Sequence, residues 1–437
     1  MNERMNQSQI TIPESMIKKM DQVRAYFRNR PKLGGEIFCN CFKNTLLTTV
    51  EQLEDNSVFI ITGDIPAMWL RDSTAQIKPY LTLAKKDPLL ASIIEGVIKR
   101  QIDYINLDPY ANAFNKEASG AGQQSDITDM SDWVWERKYE IDSLCYPIQL
   151  SYLFWKETGS VYHFDKSFLE AMQKIINVWQ TEQYHEEKSS YRFQRPDCPP
   201  SDTLIREGLG HPVQYTGMTW SGFRPSDDAC IYGYLIPSNM FASVVLGYME
   251  EILSKVYHEH QLIERVHKLK QEIQAGIEKY GIVEHPVYGT IYAYETDGYG
   301  NYNLMDDANV PSLLSIPYLG YGNREDEIYQ NTRAFILSED NPYYYHGKYA
   351  KGIGSPHTPD QYVWHIALAI QGLTAKSMEE KNEILTLFEN TDANTGYMHE
   401  GFHADDPTKF TRKWFSWANS MYCEFILDYI EKSLKND

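Results

Sequence analysis

The sequence predicts an all-α protein whose helices close into an α/α toroid, with a few short strands in the loops. Two observations lead to this prediction. Apolar residues recur at helical spacing along about a dozen segments, whereas few segments alternate as strands do. Several helical segments also begin with the same kind of polar turn, at intervals of roughly 50 to 90 residues, which leaves room for a pair of helices each. Composition shows no break along the chain, so we expect residues 1–437 to form a single domain.

The N-terminal half consists of helices separated by two long loops. The predicted helices start near Pro13, before Phe42, after Asp72, at Leu90, after Trp133 and at Asp165. Asp165 is expected to be an N-cap, because the apolar residues that follow it keep a clean helical spacing. The loops 106–132 and 189–225 contain little apolar surface to bury. Long irregular segments of this kind are usually functional or mobile.

The C-terminal half continues the helical pattern. We predict helices over 241–257, over 262–280 with Gly281 behind its end, from Arg324, from Pro359, over 379–388 and over 414–434. One hairpin is expected between Val287 and Tyr302, because aromatic residues alternate there around an Asp297-Gly298 turn.

Composition restricts the function and location of the protein. A formal net charge of −19 argues against nucleic acid or an anionic membrane as partner and fits a neutral substrate. The chain has 32 Tyr and 9 Trp residues, which suit sugar rings as well as a core. No apolar run signals secretion or a membrane span, so we expect a cytoplasmic protein whose six scattered cysteines are reduced.

Five segments share a polar turn followed by an apolar helix. They begin at Gly63, Tyr139, Ser226, Met305 and Gly354, and the one at Tyr139 is the weakest match. In a toroid these turns would meet at one end and bring together Asp64, Arg71, Asp72, Asp227, Asp228, Asp306, Asp307, Asn309, His357 and Asp360. The alternative is that acidic residues simply favour helix N-termini because of the helix dipole.

The adjacent acids Asp227 and Asp228 are the strongest candidates for chemistry. They repel each other and resist burial, so they should face water, a cation or a polar substrate, although one of them could instead cap the next helix. Hydrolysis of a glycosidic bond needs one carboxylic acid to protonate the leaving oxygen and a second carboxylate opposite it. We assign the acid to Asp227 and expect Asp228 to raise its pKa.

Glu400 is the candidate for the opposite carboxylate, since it lies in a predicted loop ahead of the last helix. The alternative without a catalytic role is that Glu400 is an ordinary glutamate in a surface loop. A second alternative is a zinc site, because His399, Glu400 and His403 match HExxH. That motif binds zinc only on a helix, and the neighbouring Gly396, Gly401 and Pro407 disfavour a helix.

The blocks GDIPAMWLRDSTAQ, RPSDDACIYGYLIPSNMFA, MDDANVPSLLSIPYLGY, GSPHTPDQYVWHIALAIQGLT and YMHEGF resemble those of glycoside hydrolase family 125, the exo-α-1,6-mannosidases. The resemblance covers nearly the whole chain. It implies an (α/α)6 toroid, inversion at the anomeric carbon, no metal or other cofactor, and release of single mannose units from non-reducing ends. By position it implies Asp227 as general acid and Glu400 as general base.

The resemblance also implies which residues bind the sugar. Arg71, Asp72, Asp306, Asn309 and His357 lie in the matching blocks, and we add Asp64, Trp69, Asp228 and His399 from the same blocks. The expected partner is a mannose-containing oligosaccharide, such as one derived from an N-glycan. Two alternatives stay open: another toroidal carbohydrate-active enzyme, an epimerase or lyase using His or Tyr, or a glycan-binding protein without activity.

Overall fold

The computed structural model describes residues 10–436, which form many helices and short strands. The helices are α1 (Glu14–Tyr26), α2 (Phe38–Thr48), α3 (Leu70–Ile77), α4 (Leu81–Ala84), α5 (Pro88–Leu107), α6 (Ile141–Thr158), α7 (Lys166–Glu182), α8 (His185–Lys188), α9 (Ile205–Gly208), α10 (Ile236–Ile252), α11 (His260–Tyr280), α12 (Ile316–Leu319), α13 (Glu327–Ile336), α14 (His365–Thr374), α15 (Met378–Thr391) and α16 (Ser416–Asn436). The prediction of a helix-rich protein is confirmed.

The strands are short and pair in antiparallel fashion. They are β1 (Val50–Gln52), β2 (Val58–Ile60), β3 (Met68–Trp69), β4 (Ala113–Phe114), β5 (Val134–Glu136), β6 (Tyr234–Leu235), β7 (Ile282–His285), β8 (Gly289–Tyr292), β9 (Glu295–Thr296), β10 (Tyr302–Asn303), β11 (Tyr344–His346), β12 (Lys351–Ile353), β13 (Tyr362–Trp364), β14 (Gly401–His403) and β15 (Asp406–Phe410). Three small sheets, β3–β4–β5, β6–β9–β10 and β13–β14–β15, matter for the site.

Six helices form a closed ring. Helix α3 packs on α6, α6 on α10, α10 on α12, α12 on α14, α14 on α16, and α16 returns to α3. Other helices pack outside this ring: α2 against α16, α5 against α6, α11 against α10 and α15 against α14. All eight residues of α3 are buried, as expected of a helix that is surrounded by other helices. This complete burial is consistent with a place in the inner layer.

The outer helices bury only one face. In α7 the buried residues include Phe168, Met172, Ile175 and Trp179, the helical spacing from which this helix was predicted. Its N-cap is also as predicted, because the Asp165 carboxylate accepts a hydrogen bond from the Phe168 backbone N–H at 2.9 Å. Helix α11 ends at Tyr280 with Gly281 as its C-terminal cap residue, as expected.

Three of the strands lead directly into helices of the ring. Strand β3 ends where α3 begins, β6 ends where α10 begins, and β13 ends where α14 begins. Each strand is anchored in its own small sheet. The N-terminal ends of these helices, and the polar turns before them, are therefore fixed by backbone hydrogen bonds as well as by helix packing.

One strand prediction needs correction. The segment 287–302 does not form one hairpin but contributes to two. Strands β9 and β10 pair around the predicted turn at Asp297-Gly298, whereas β8 pairs backwards with β7. The turn between β7 and β8 ends at Gly289, whose positive φ of 74° suits glycine. The strand that follows this turn, β8, therefore pairs with β7.

Two further observations concern the whole described chain. All six cysteines are free thiols, and only Cys198 is not fully buried. Among residues 10–436, we find no helix with both the length and the apolar character needed to cross a membrane.

Candidate active site

A pocket lies at the end of the ring where α3, α14 and α16 begin. Its wall is formed by Thr62, Ile65, Trp69, Arg71, Asp72, Pro225, Ser226, Asp227, Asn309, His357, Trp364, Glu400, Arg412, Phe415 and Trp417. These residues come from the turns before or at the start of α3, α10, α12, α14 and α16. The predicted convergence of polar turns therefore exists for these helices.

The pocket brings together residues that are far apart in the sequence. Both predicted catalytic carboxylates, Asp227 and Glu400, line it. Five of the predicted sugar-binding residues line it as well, namely Trp69, Arg71, Asp72, Asn309 and His357. The Trp69 indole N–H is buried in this wall and has no acceptor among the described residues.

Two predicted sugar-binding residues are buried behind the wall. The Asp306 carboxylate accepts hydrogen bonds from the backbone N–H groups of Leu313 (2.8 Å) and Leu314 (3.0 Å), just before α12. Burial raises the pKa of Asp306 to about 8. The His399 ring stacks on Phe410 with 3.8 Å between ring centroids. Both side chains contact other parts of the protein and do not line the pocket, so the prediction that they line it is corrected.

Two other predicted residues lie next to the pocket and support its wall. Asp64 forms an ion pair with Arg412, whose guanidinium Nε lies 3.0 Å from Asp64 Oδ1. Asp228 is turned away from Asp227 and contacts the His357 ring, with 3.0 Å between Asp228 Oδ1 and Nδ1. Each of these carboxylates therefore contacts a cationic side chain that itself faces the pocket.

Sequence reasoning missed several residues of the site. Glu140 and Asp142 lie at the start of α6 and contact Arg71 from behind, while Arg412, Trp364, Phe415 and Trp417 line the pocket. The signal for Glu140 and Asp142 was the weak fifth turn at Tyr139. The start of α16, the sixth ring helix, was not recognised because its turn contains aromatic residues instead of acids.

Asp227 lies in a tight turn with an uncommon backbone conformation. Its φ is 68°, in the left-handed region that few residues other than glycine adopt. The turn is closed by hydrogen bonds from Asp227 N–H to the Arg224 carbonyl (2.9 Å) and from Arg224 N–H to the Asp228 carbonyl (2.8 Å). Lys138 Nζ also donates to the Asp227 carbonyl at 2.7 Å. Helix α10 begins only at Ile236, so helix capping does not explain Asp227.

Arg71 binds Asp227 in the pocket wall. Its Nη2 lies 2.9 Å from Asp227 Oδ1, and its Nη1 lies 2.5 Å from Glu140 Oε2 and 3.1 Å from Asp142 Oδ2. Only 3% of the Arg71 side chain is exposed, against 24% of the Asp227 side chain. With Asp72 Oδ2 at 3.7 Å from Arg71 Nε, four carboxyl groups share one buried guanidinium, and Asp72 and Asp227 are the two that line the pocket.

The prediction that Asp228 raises the pKa of Asp227 is wrong, because the pKa of Asp227 is lowered. Burial alone raises the pKa of Asp227, but the positive charge of Arg71, a hydrogen bond with Glu140, and the charges of Lys138 and His357 outweigh it. The pKa of Asp227 therefore lies below its usual range. The Asp228 carboxylate is turned to His357.

Glu400 enters the pocket directly before β14. In the sheet, Gly401 pairs with Trp364, the last residue before α14, and this pairing holds Glu400 beside the ring. Arg412 Nη1 lies 3.7 Å from Glu400 Oε1. Because 401–403 is a strand, His399 and His403 do not share one helix face, and the helical zinc motif is not formed.

The turn that carries Asp227 depends on a buried ion pair, which predicts a large effect on stability. Glu295 accepts from Arg224 Nε at 2.6 Å and from the backbone N–H groups of Ile231 and Tyr232. Glu295→Ala leaves the Arg224 guanidinium buried without its carboxylate, so the free energy of unfolding should fall by about 3–5 kcal/mol. Urea unfolding measures this, with Glu295→Gln as the control that keeps an acceptor. A loss under about 1 kcal/mol would mean that the pair behaves as an exposed one.

His357 should carry a positive charge at neutral pH. Burial alone lowers its pKa, but the hydrogen bond with Asp228 and the charges of Asp228, Glu400 and Asp227 raise the pKa of His357 to about 9, from an ordinary 6.5. The stability gained from this pairing is fully present below pH 6.5 and is lost as pH rises through about 9. NMR titration of the imidazole should show the raised value, and Asp228→Asn should bring it to 6.5 or lower. Titration near 6.5 in the unmodified protein would contradict this assignment.

The helical ring and two carboxylates in one aromatic-lined pocket define a class of protein, the enzymes that cleave glycosidic bonds. The family model described as "Metal-independent alpha-mannosidase (GH125)" matches residues 32–427. The chain belongs to this family and is an α-mannosidase.

The chain is similar to individual proteins as well. A Streptococcus pneumoniae protein, described as a metal-independent α-mannosidase and solved in a non-productive complex with α-1,6-mannobiose, is 51% identical, with a TM-score of 0.94 over 96% of this chain and 99% of that one. The meiotically up-regulated gene 157 protein of Schizosaccharomyces pombe is 41% identical over 420 residues, which are 91% of this chain and 82% of the relative. A glycosidase solved with glucose shares the fold alone, at 10% identity and a TM-score of 0.50 over 96% of this chain and 99% of that one.

Proposed function

We propose that the protein is an inverting, exo-acting α-1,6-mannosidase that releases mannose from the non-reducing ends of α-mannosides, such as oligosaccharides derived from N-glycans. The observation that carries this proposal is the placement of Asp227 and Glu400 in one pocket, on elements 173 residues apart in the sequence (400 minus 227). The α-1,6-mannobiose bound by the Streptococcus pneumoniae relative supports the linkage.

In this mechanism the two carboxyl groups act from opposite sides of the terminal mannose. Glu400 removes a proton from a water molecule as that water attacks the anomeric carbon. Asp227 donates a proton to the glycosidic oxygen as the bond to the anomeric carbon breaks. Inverting enzymes keep these carboxyl groups about 6.5–9.5 Å apart so that the water fits between them. Trp69, Asp72, Asn309 and His357 would bind the sugar hydroxyl groups.

We further infer that residues 10–436 form one (α/α)6 toroid, as a single catalytic domain; residues 1–9 and 437 of the predicted domain 1–437 lie outside the described residues. The closed ring of α3, α6, α10, α12, α14 and α16, with a second layer of helices outside it, supports this inference. One hydrophobic cluster extends from Met16 to Tyr429, which argues against separate domains. Cytoplasmic location stays a prediction, and the six free thiols support it.

A proton NMR time course on α-1,6-mannobiose tests the function. The α- and β-anomers of free mannose give separate signals, and inversion should release β-mannose first, with α-mannose appearing later by mutarotation. Early α-mannose would overturn inversion. An isomerised or unsaturated product would indicate an epimerase or a lyase, and binding without any product would indicate a glycan-binding protein.

A further inference from the structure

A second carboxyl group, that of Glu140, lies directly behind Asp227. Glu140 precedes α6, and its side chain is 0% exposed. Its Oε2 accepts from Arg71 Nη1 at 2.5 Å and from Ser143 Oγ at 2.7 Å. Its Oε1 lies 3.4 Å from the Asn112 amide nitrogen, which also lies 3.3 Å from Asp227 Oδ1. Glu140 and Asp227 therefore have the same two neighbours, Arg71 and Asn112.

Four carboxyl groups, those of Asp72, Glu140, Asp142 and Asp227, lie between 2.5 and 3.7 Å from the single Arg71 guanidinium. One buried positive charge does not balance four ionised carboxylates, so the cluster favours a proton on one of them. Two carboxyl groups that share one site hold a common proton for the same electrostatic reason, since both cannot be ionised cheaply. The pair is therefore a place where one proton is stored next to the pocket.

The surrounding charges influence where that proton lies. The charged and titratable groups facing the pair are Arg71, Asp72, Glu136, Lys138, Asp142 and His357. Burial and the nearby charges of Asp227 and Asp142 raise the pKa of Glu140 well above its usual range, although Arg71 opposes them. Within the pair the proton therefore favours Glu140, whereas Arg71, Lys138 and His357 favour the ionised form of Asp227.

We propose that Glu140 is a positioning residue which shares with Asp227 the proton that Asp227 delivers to the leaving oxygen, and thereby sets the upper pH limit of catalysis. This inference rests on the proposed mannosidase function. As the glycosidic bond breaks, Asp227 gives a proton to its oxygen and takes one from Glu140. Glu400 takes a proton from the attacking water, whose oxygen bonds to the anomeric carbon. Glu400 then releases its proton to solvent, and the pair recovers one from solvent.

The test is the pH dependence of kcat/KM for Glu140→Gln. A glutamine keeps the contacts with Arg71 and Asn112 but cannot pass on a proton, and Arg71, Lys138 and His357 then keep Asp227 ionised. On α-1,6-mannobiose we expect kcat/KM to fall about 100-fold or more, the range of a lost general acid. The alkaline limb of the profile should move to lower pH by about one unit or more, because the carboxyl that favours a shared proton is gone. On 2,4-dinitrophenyl α-mannoside, whose leaving group needs no proton, the loss should be much smaller.

Asp142→Asn is the matched control. Asp142 is also fully buried against Arg71, at 3.1 Å, and its replacement by an amide likewise removes one carboxyl group from the same guanidinium. It does not share the Asn112 amide with Asp227 as Glu140 does, so its alkaline limb should stay in place. If Glu140→Gln lowers activity equally on both substrates with unmoved limbs, Glu140 is only structural and the proposal is overturned. If the unmodified enzyme releases no mannose, the mannosidase function itself fails.

Infrared spectroscopy tests the shared proton without measuring activity and without the Glu140 variant. In Asp227→Asn the charge of Asp227 no longer raises the pKa of Glu140, while Arg71 still lowers it, so Glu140 should ionise at a lower pH than in the unmodified protein. The difference spectrum against the unmodified protein at neutral pH should therefore show the loss of a protonated-carboxyl absorption. The protonated Asp306 is the same in both proteins and cancels. An unchanged absorption would overturn the proposal.

Discussion

Asp227→Asn should reduce kcat on α-1,6-mannobiose by about 10²–10⁴-fold, the contribution of a general acid. The substitution keeps the size of the side chain and an oxygen that can accept from Arg71, but it removes the group that protonates the departing sugar. Arg71 stays paired with Glu140 and Asp142, so no buried charge is left without a partner. We therefore expect the unfolding temperature and the affinity for mannobiose to change little.

A series of aryl α-mannosides separates this role from a structural one. Leaving groups of low pKa depart without a proton, so the loss caused by Asp227→Asn should shrink steadily as the pKa of the leaving group falls. The control is Asp64→Asn, which changes a carboxylate near the pocket that contacts Arg412 and not Asp227. A loss in Asp227→Asn that is the same for every leaving group would rule out Asp227 as the acid.

Much of the fold could be predicted from the sequence because local patterns control it. The spacing of Phe168, Met172, Ile175 and Trp179 predicts the buried face of α7, and Asp165 predicts its start. The segment 287–302 was harder, since alternating aromatic residues show that strands form but not which strand pairs with which. The closing helix α16 was predicted as a helix, yet its place in the ring depends on long-range packing against α3 and α14.

The sequence predicts which turns contribute residues to the site. It does not predict the direction in which each side chain of a turn points. Asp227 and Asp228 are neighbours in sequence, but the left-handed backbone at Asp227 directs one carboxylate to Arg71 and the other to His357. Asp306 has the same kind of signal as Asp227 and instead accepts backbone N–H groups before α12. Glu140 is 87 residues before Asp227 in the sequence (227 minus 140), so only folding brings the two carboxyl groups together.

Glu400→Gln should reduce kcat as much as Asp227→Asn does. The loss should depend differently on the leaving group of the substrate. Glutamine cannot take the proton of the attacking water, so kcat should fall by about 10²–10⁴-fold. Because this proton transfer does not involve the leaving group, the loss should be similar for α-1,6-mannobiose and for every aryl mannoside in the series. Arg412 still has Asp64 as its partner, so the fold should stay intact, which thermal unfolding measures.

Azide gives the sharper test of Glu400, because it needs no base. Truncation to Glu400→Ala leaves space where azide can attack the anomeric carbon from the side opposite the leaving group, while Asp227 still protonates the departing oxygen. With 2,4-dinitrophenyl α-mannoside, azide should restore turnover and give β-mannosyl azide, identified by proton NMR. Asp227→Ala should give no comparable product from α-1,6-mannobiose, since the acid is still missing. An α-mannosyl azide from Glu400→Ala would place the attacking group on the wrong face and exclude Glu400 as the base of an inverting enzyme.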